Sequence, residues 1–269
     1  MSGADPADRA DVAEAADAAQ HGVTGGGPVL AIFAHPDDTE FVAGGALALW
    51  AAAGRQLVYA FCTDGSKGNA GEPDLDSAVL VAQRQEEQRA AARHLGCEEV
   101  VFLPYEDAML EPTIALRRDL TRLIRRYRPQ IVVCFDPTVY WFGEWYIQHP
   151  DHRASGEAAL AAVFPCARDR LTFPELLAEG LEPHAVEEVY LASSQQPNRW
   201  LDISAVIDRK IEAMGLHRSQ VSDPERLGGI LRQMSRNTGE PHGLQYAESY
   251  RYISMNPARR PGAGGELPE

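Results

Sequence analysis

The sequence predicts a single α/β domain: a mostly parallel, twisted sheet flanked by helices, Rossmann-like in build. Three observations lead there. Short apolar runs alternate along the chain with longer stretches of helical periodicity, the βαβ succession that puts parallel strands in one sheet with helices on both faces. The short runs are apolar throughout instead of alternating with polar residues, as strands covered on both sides are. Polar clusters follow two of those runs directly, at the edge of the sheet where open α/β folds bind ligands.

Element by element, residues 1–27 are rich in Ala, Asp and Gly without a strong apolar face and read as a disordered tail. The domain spans 28–255, and 256–269, dominated by Gly and Pro, reads as a second disordered tail. Val29 opens the first strand, which ends in His35-Pro-Asp-Asp-Thr-Glu40. Gly44-Gly45 leads into a helix over Ala46–Ala53, stopped by Gly54. Gln56–Cys62 is the second strand, and the Gly-punctuated loop Thr63–Asn69 emerges at the same sheet edge as His35. Ser77–Leu95 is a helix, with Ser77 to cap it and Gly96 to end it. Val100–Leu103 is strand three.

Pro112–Tyr127 forms a helix with proline in its first turn and Leu116, Leu120, Leu123 and Ile124 along one face. Ile131–Phe135 is strand four. An aromatic loop, Tyr140–Tyr146, leads to His149-Pro-Asp-His152 and a helix over about 153–163. Residues 165–183 are irregular and broken by Pro174. Val186–Leu191 and Trp200–Ile203 are strands. A helix capped by Asp202 or Ser204 runs to about His217, and Pro224–Arg236 is the last helix. No GxGxxG follows the first strand, which argues against a dinucleotide site.

Composition narrows the class. The 269 residues are 45% hydrophobic, enough for one sizeable core, and the net charge is −14. That acidity speaks against nucleic acid and anionic membranes as partners. No apolar run approaches the roughly 20 residues of a membrane span. The acidic, Ala-rich start lacks the charged-then-apolar order of a signal peptide. Cys62, Cys97, Cys134 and Cys166 form no CxxC and read as buried thiols, so a cytoplasmic enzyme is expected.

The chemistry concentrates in the two clusters. His35 and Asp38 sit on a turn sharpened by Pro36, and with one imidazole from His149 or His152 they make three N/O ligands, leaving positions for water and substrate. Imidazole and carboxylate without thiolate suit zinc or another borderline divalent ion. Spacing does not choose between Asp37 and Asp38, or between His149 and His152. The plainer alternative is capping: Asp37, Asp38 or Thr39 for the helix after strand one, Asp151 for the helix near Arg153. Two such clusters at two strand ends favour the metal site.

AHPDDTE followed by HPDH resembles the LmbE-like, or PIG-L, family of zinc-dependent N-acetylglucosamine de-N-acetylases. CTDGSKG, Arg84-x-x-Glu87 and the stretch Lys210–Gln220 add to the resemblance, which spans roughly 28–255. It implies that His35, Asp38 and His152 bind Zn2+, and that Asp37 is the general base toward the zinc-bound water. It implies that His149 stabilises the oxyanion or helps the amine leave, and that Asp151 orients an imidazole. Beside a developing negative charge, the imidazole left off the metal is expected to act protonated. Some members carry a tyrosine two residues before the first HPDH histidine, where this chain has Ile147 beside Tyr146.

Other candidates for substrate contact are Asp64, Lys67, Arg84 and His217. Asp64 and Lys67 can equally make a solvated turn, Arg84 can pair with Glu87 along its helix, and His217 can interact with a helix dipole. The aromatic loop can stack on a substrate or pack against a neighbouring subunit, which leaves a homo-oligomer open. The expected activity is hydrolysis of an N-acetyl amide on a small amino-sugar conjugate, releasing acetate and a free amine. A thiol-conjugate amidase of the mycothiol type is the nearest rival. A metal-dependent phosphoesterase and a non-catalytic metal-binding protein are rivals from other classes.

Overall fold

Residues 26–68 and 76–255 are described by the structure, a computed structural model of the chain. Residues 1–25 of the first expected tail, Asn69 and the whole second tail lie outside them. In chain order the elements are β1 (Val29–Phe33), α1 (Asp38–Ala52), β2 (Leu57–Thr63), α2 (Ser77–Leu95), β3 (Glu99–Tyr105), α3 (Ile114–Tyr127) and β4 (Ile131–Phe135). They continue with the two-residue strands β5 (Trp141–Phe142) and β6 (Tyr146–Ile147), then α4 (Pro150–Ala161), α5 (Glu175–Ala178), β7 (Glu188–Ala192) and β8 (Arg199–Asp202). The last are α6 (Ile207–Met214), α7 (Pro224–Gly239) and β9 (Ala247–Ser254).

Seven strands make one sheet in the order β3-β2-β1-β4-β7-β9-β8. The run from β3 to β7 is parallel throughout, and β9 lies antiparallel to both its neighbours. The chain moves outward from β1 through β2 to β3, then returns to place β4 on the other side of β1. The strand order therefore reverses between β1 and β4, and the crevice outside their carboxyl ends is where such sheets bind ligands.

Side-chain alternation explains why both faces are apolar. Leu30, Ile32, Val132 and Cys134 face α3 and α4, meeting Leu120, Ile124, Ala158 and Ala159. Val29, Ala31, Phe33, Ile131 and Val133 point the other way onto Ala43, Leu47 and Trp50 of α1. The edge strand β3 is only half-buried and carries Pro104, a residue sheets tolerate at an edge. Cys62, Cys97, Cys134 and Cys166 are buried free thiols. No helix among the described residues is long and apolar enough to cross a membrane.

Five element expectations need correction. Asp76, not Ser77, caps α2, since its carboxylate accepts the Ala78 amide, and α6 starts at Ile207 without a side-chain cap from Asp202 or Ser204. The helix placed at Ala46–Ala53 begins eight residues earlier, at Asp38, and runs through Gly44-Gly45. These glycines make room instead of making a turn: a Cβ on Gly45 would stand 2.6 Å from Ile203 Cγ2. Through that gap the Glu248 carboxylate takes the amides of Gly45 and Ala46, each at 2.8 Å, and the Lys210 ammonium at 2.6 Å. The HPDH helix starts at Pro150, not near Arg153, because His149 is the cap and proline needs no donor at the first helical position. Finally, β9 follows α7, between Arg236 and the second tail, where the sequence reading places no strand.

Candidate active site

The two clusters meet where the strand order reverses. In the first, Pro36 turns the chain out of β1, Asp37 takes the cap position of α1, and Asp38 is the first helical residue. Asp37 does not cap with its carboxylate. The Asp38 carboxylate instead turns back to accept the His35 amide at 2.7 Å, which fixes both ligand candidates on one short turn. In the second cluster, His149 and His152 are three apart at the start of α4 and so share a face. The His152 ring lies flat on Phe135 at the end of β4, centroids 4.0 Å apart.

His35, His149 and His152 each place a ring nitrogen within 4.8 Å of the others. Both Asp38 oxygens face imidazoles: Oδ1 lies 3.1 Å from His152 Nε2 and Oδ2 lies 3.4 Å from His35 Nδ1. The far nitrogens of both rings face acceptors. His152 Nδ1 donates to Gln148 Oε1 at 3.2 Å, an oxygen identified because it also accepts the His149 amide. His35 Nε2 donates to Asp107 at 3.1 Å and Asp151 at 3.2 Å. As metal ligands both rings must be neutral, and the lone pairs of His35 Nδ1 and His152 Nε2 would then face the Asp38 carboxylate. A divalent cation would relieve that opposition, and imidazoles beside a carboxylate are donors of the kind such an ion takes.

Charge in the site follows from this crowding. Burial pulls the His35 imidazole down, but hydrogen bonds to Asp107, Asp151 and Asp38 outweigh it and push the pKa up to about 12. Burial would raise Asp38, yet His152 and His35 hold it far below the ordinary carboxylate value. Asp37 shares neither imidazole hydrogen bond, and burial together with the charge of Asp38 lifts it to about 6. His149 is pushed below its usual value, first by burial and then by the charge on His35. Its Nδ1 accepts the Asp151 amide at 3.2 Å, so a neutral ring carries its proton on Nε2. Burial and the charge on His35 both oppose the expected protonation of His149.

A cavity of about 290 Å³ opens over these groups, lined by His35, Asp37, Asp38, His149 and His152 together with Lys67, Arg84, Asp107 and Gln220. Asp151 lies beneath it, completely buried. Its carboxylate accepts the amides of Ala108 and Leu110 as well as the His35 ring, so the imidazole it orients is that of His35.

The family profile of the GlcNAc-PI de-N-acetylases, PIG-L, matches residues 30–163, which hold both clusters. A diacetylchitobiose deacetylase of Thermococcus kodakarensis is 32% identical over 227 residues, covering 84% of this chain and 82% of that protein. The chain belongs to the PIG-L family. A second relative, the 1D-myo-inositol 2-acetamido-2-deoxy-alpha-D-glucopyranoside deacetylase of Rhodococcus erythropolis, is 26% identical, with 72% of this chain and 81% of that protein covered. Among solved structures, an N,N'-diacetylchitobiose deacetylase of Pyrococcus horikoshii bound to its inhibitor matches with a TM-score of 0.80 at 28% identity. That match covers 94% of this chain and 95% of the other.

The remaining candidates of this PIG-L chain are scattered. Arg84 does not pair with Glu87. It donates to the carbonyls of Gly65 and Pro36 and to Asp37 at 2.8, 2.7 and 3.3 Å, because its buried guanidinium reaches across to the loops after β1 and β2. Glu87 instead accepts from Ser219. Lys67 lines the cavity and pairs with Glu106 at 2.6 Å. Asp64 is not among the lining residues. Its carboxylate accepts the amides of Ser66 and Asp107 and shapes the loop. His217 is buried behind the site against Glu40, which with Asp37 and Glu87 raises its pKa despite burial. Tyr146 and Ile147 are exposed and do not line the cavity. Asp107 carries no motif and escapes sequence inspection. The one signal for it is its position two residues past β3, at the same sheet edge as His35.

Proposed function

We propose that this chain is a metal-dependent hydrolase of N-acetyl groups on small amino-sugar conjugates, releasing acetate and a free amine. One observation carries the reading: a carboxylate poised near neutrality, Asp37, stands beside a separate three-residue donor set in a cavity of about 290 Å³. Two relatives are deacetylases of N-acetylated amino sugars by name. His35, Asp38 and His152 would hold the ion, and a set of imidazoles and carboxylate without thiolate favours zinc. When bound, the ion supplies Lewis acidity for the amide carbonyl and acidifies water.

The chain's own groups do the rest. Asp37, with a pKa of about 6, takes the proton of the attacking water. His149, neutral and protonated at Nε2, donates that N–H to the oxygen on which negative charge develops. Asp37 returns its proton to the nitrogen as the C–N bond breaks. Asp151 and Asp107 keep the His35 ring oriented, and Gln148 does the same for His152. Arg84 and Lys67 also line the cavity, where they can meet sugar hydroxyls.

Acetate release measured on N,N'-diacetylchitobiose, on N-acetylglucosaminyl inositol and on N-acetylglucosaminyl malate, beside a panel of phosphate esters, tests the reading. Release from one or more acetylated sugars, abolished by a chelator and restored by zinc, is expected. Turnover of the phosphate esters alone would overturn it.

A further inference from the structure

Asp37 has φ of 101°, a left-handed conformation that residues with a Cβ adopt only where their surroundings impose it. Two residues of α2 hold this peptide: Arg84 donates to its Pro36 carbonyl at 2.7 Å, and Gln88 takes its N–H. The Asp37 amide donates to Gln88 Oε1 at 2.8 Å, and Gln88 Nε2 donates to Glu40 Oε1 at 2.9 Å. The other Glu40 oxygen meets His217 Nε2 at 3.2 Å. Gln88 and Glu40 are completely buried and His217 nearly so, and none of the three lines the cavity. The donor directions leave no choice. A backbone N–H can only donate, so Gln88 turns its oxygen to Asp37 and its NH2 to Glu40. Glu40 Oε1 then accepts from Gln88, and its Oε2 hydrogen-bonds His217 Nε2, which pins the carboxyl group from its other side. One residue along α2, Glu87 anchors Ser219 and so holds the loop that carries His217.

We propose that Gln88, locked in one orientation by Glu40 and His217, is the positioning residue that holds the Asp37 peptide in its left-handed state and so aims the Asp37 carboxylate. This rests on Asp37 being the base of the proposed reaction. Its consequence is specific: losing the Gln88 acceptor lets the peptide relax, and a misplacement of about 1 Å at a reacting group costs on the order of 100-fold in rate.

The test uses the full chain with Gln88→Met, near in shape but without an acceptor, and with His217→Gln and His217→Leu, of which only the first keeps an N–H for Glu40. Turnover, KM, bound metal and the exchange rate of the Asp37 amide in metal-free protein are the readouts. Gln88→Met should lower kcat about 10- to 100-fold with KM and metal content unchanged, and should speed exchange at Asp37. His217→Gln should retain more kcat than His217→Leu. In an Asp37→Asn background, Gln88→Met should add no further loss, since it acts through that side chain. Wild-type kcat and exchange in Gln88→Met, or a loss that multiplies with Asp37→Asn, would overturn the proposal. If Gln88→Met does not fold, equal and undiminished activity of the two His217 variants overturns it. Wild-type turnover in Asp37→Asn would instead sink the base assignment, and amide exchange would still decide whether Gln88 holds the peptide.

Discussion

Asp37 and Asp38 are neighbours in the chain with opposite surroundings. Asp38 is enclosed by two imidazoles and held strongly ionised, whereas Asp37 faces Arg84 and the cavity with its pKa lifted to about 6. On the proposed roles, Asp37→Asn keeps metal near one equivalent and loses on the order of 10²–10⁴ in turnover. Asp38→Asn loses the metal. The reverse pattern, read by metal analysis beside rate, would exchange the two roles. The base works ionised, so the rate should fall as pH drops through about 6, and a bound cation draws that limb lower. An acid limb unchanged in the residual activity of Asp37→Asn would belong to another group. Legibility in the sequence divides along the same line. Groups that lie together in the chain, as in HPDD and HPDH, could be read directly. Gln88 and Asp107 reach the cluster only through the fold, from α2 and from just past β3, so no spacing announces them, whereas Gln148 adjoins HPDH in the chain.

At the scale of elements, the alternation of apolar runs and helical stretches located β1, β2, β4, α2 and α3 because burial on both faces leaves so plain a pattern. It failed where polarity or small size did a job that composition hides. β9 buries Glu248 between the α1 amides and Lys210, so one of its most buried residues is a carboxylate. Gly44-Gly45 looked like a helix start and is a contact surface. Replacing Gly45 by Ala gains helix propensity of about 1 kcal/mol, but its Cβ would meet Ile203 at 2.6 Å and the Glu248 carboxylate at 3.0 Å. Overpacking costs about 1–3 kcal/mol, so Gly45→Ala should be net destabilising in urea unfolding. Gly229 in α7 has nothing within 4 Å of a Cβ, and Gly229→Ala should stabilise by about 0.5–1 kcal/mol. Equal effects at the two glycines would mean that α1 is not held against the β8–α6 connection as described.

For the molecule as a whole, the site is a concentration of negative charge in a chain already at −14. Asp38, Asp107 and Asp151 converge on the single ring of His35, and Asp37 adds its charge beside them. Only the folded chain assembles them, so a cation that binds the folded state must stabilise it globally. At a free metal concentration of 100 times Kd that stabilisation is about 2.7 kcal/mol, or roughly 5–10 °C in Tm for a chain of this size. Zinc added to chelator-stripped protein should produce this rise in a thermal melt without any substrate present. Asp38→Asn and His152→Ala should abolish the rise. Asp37→Asn and His149→Ala should keep it, because neither side chain is assigned to the ion. No rise in the wild-type chain would remove the metal from the proposal. A rise lost in His149→Ala and kept in His152→Ala would move the ion to the neighbouring set of His35, Asp107, His149 and Asp151, whose donor atoms also lie within 4.8 Å of one another.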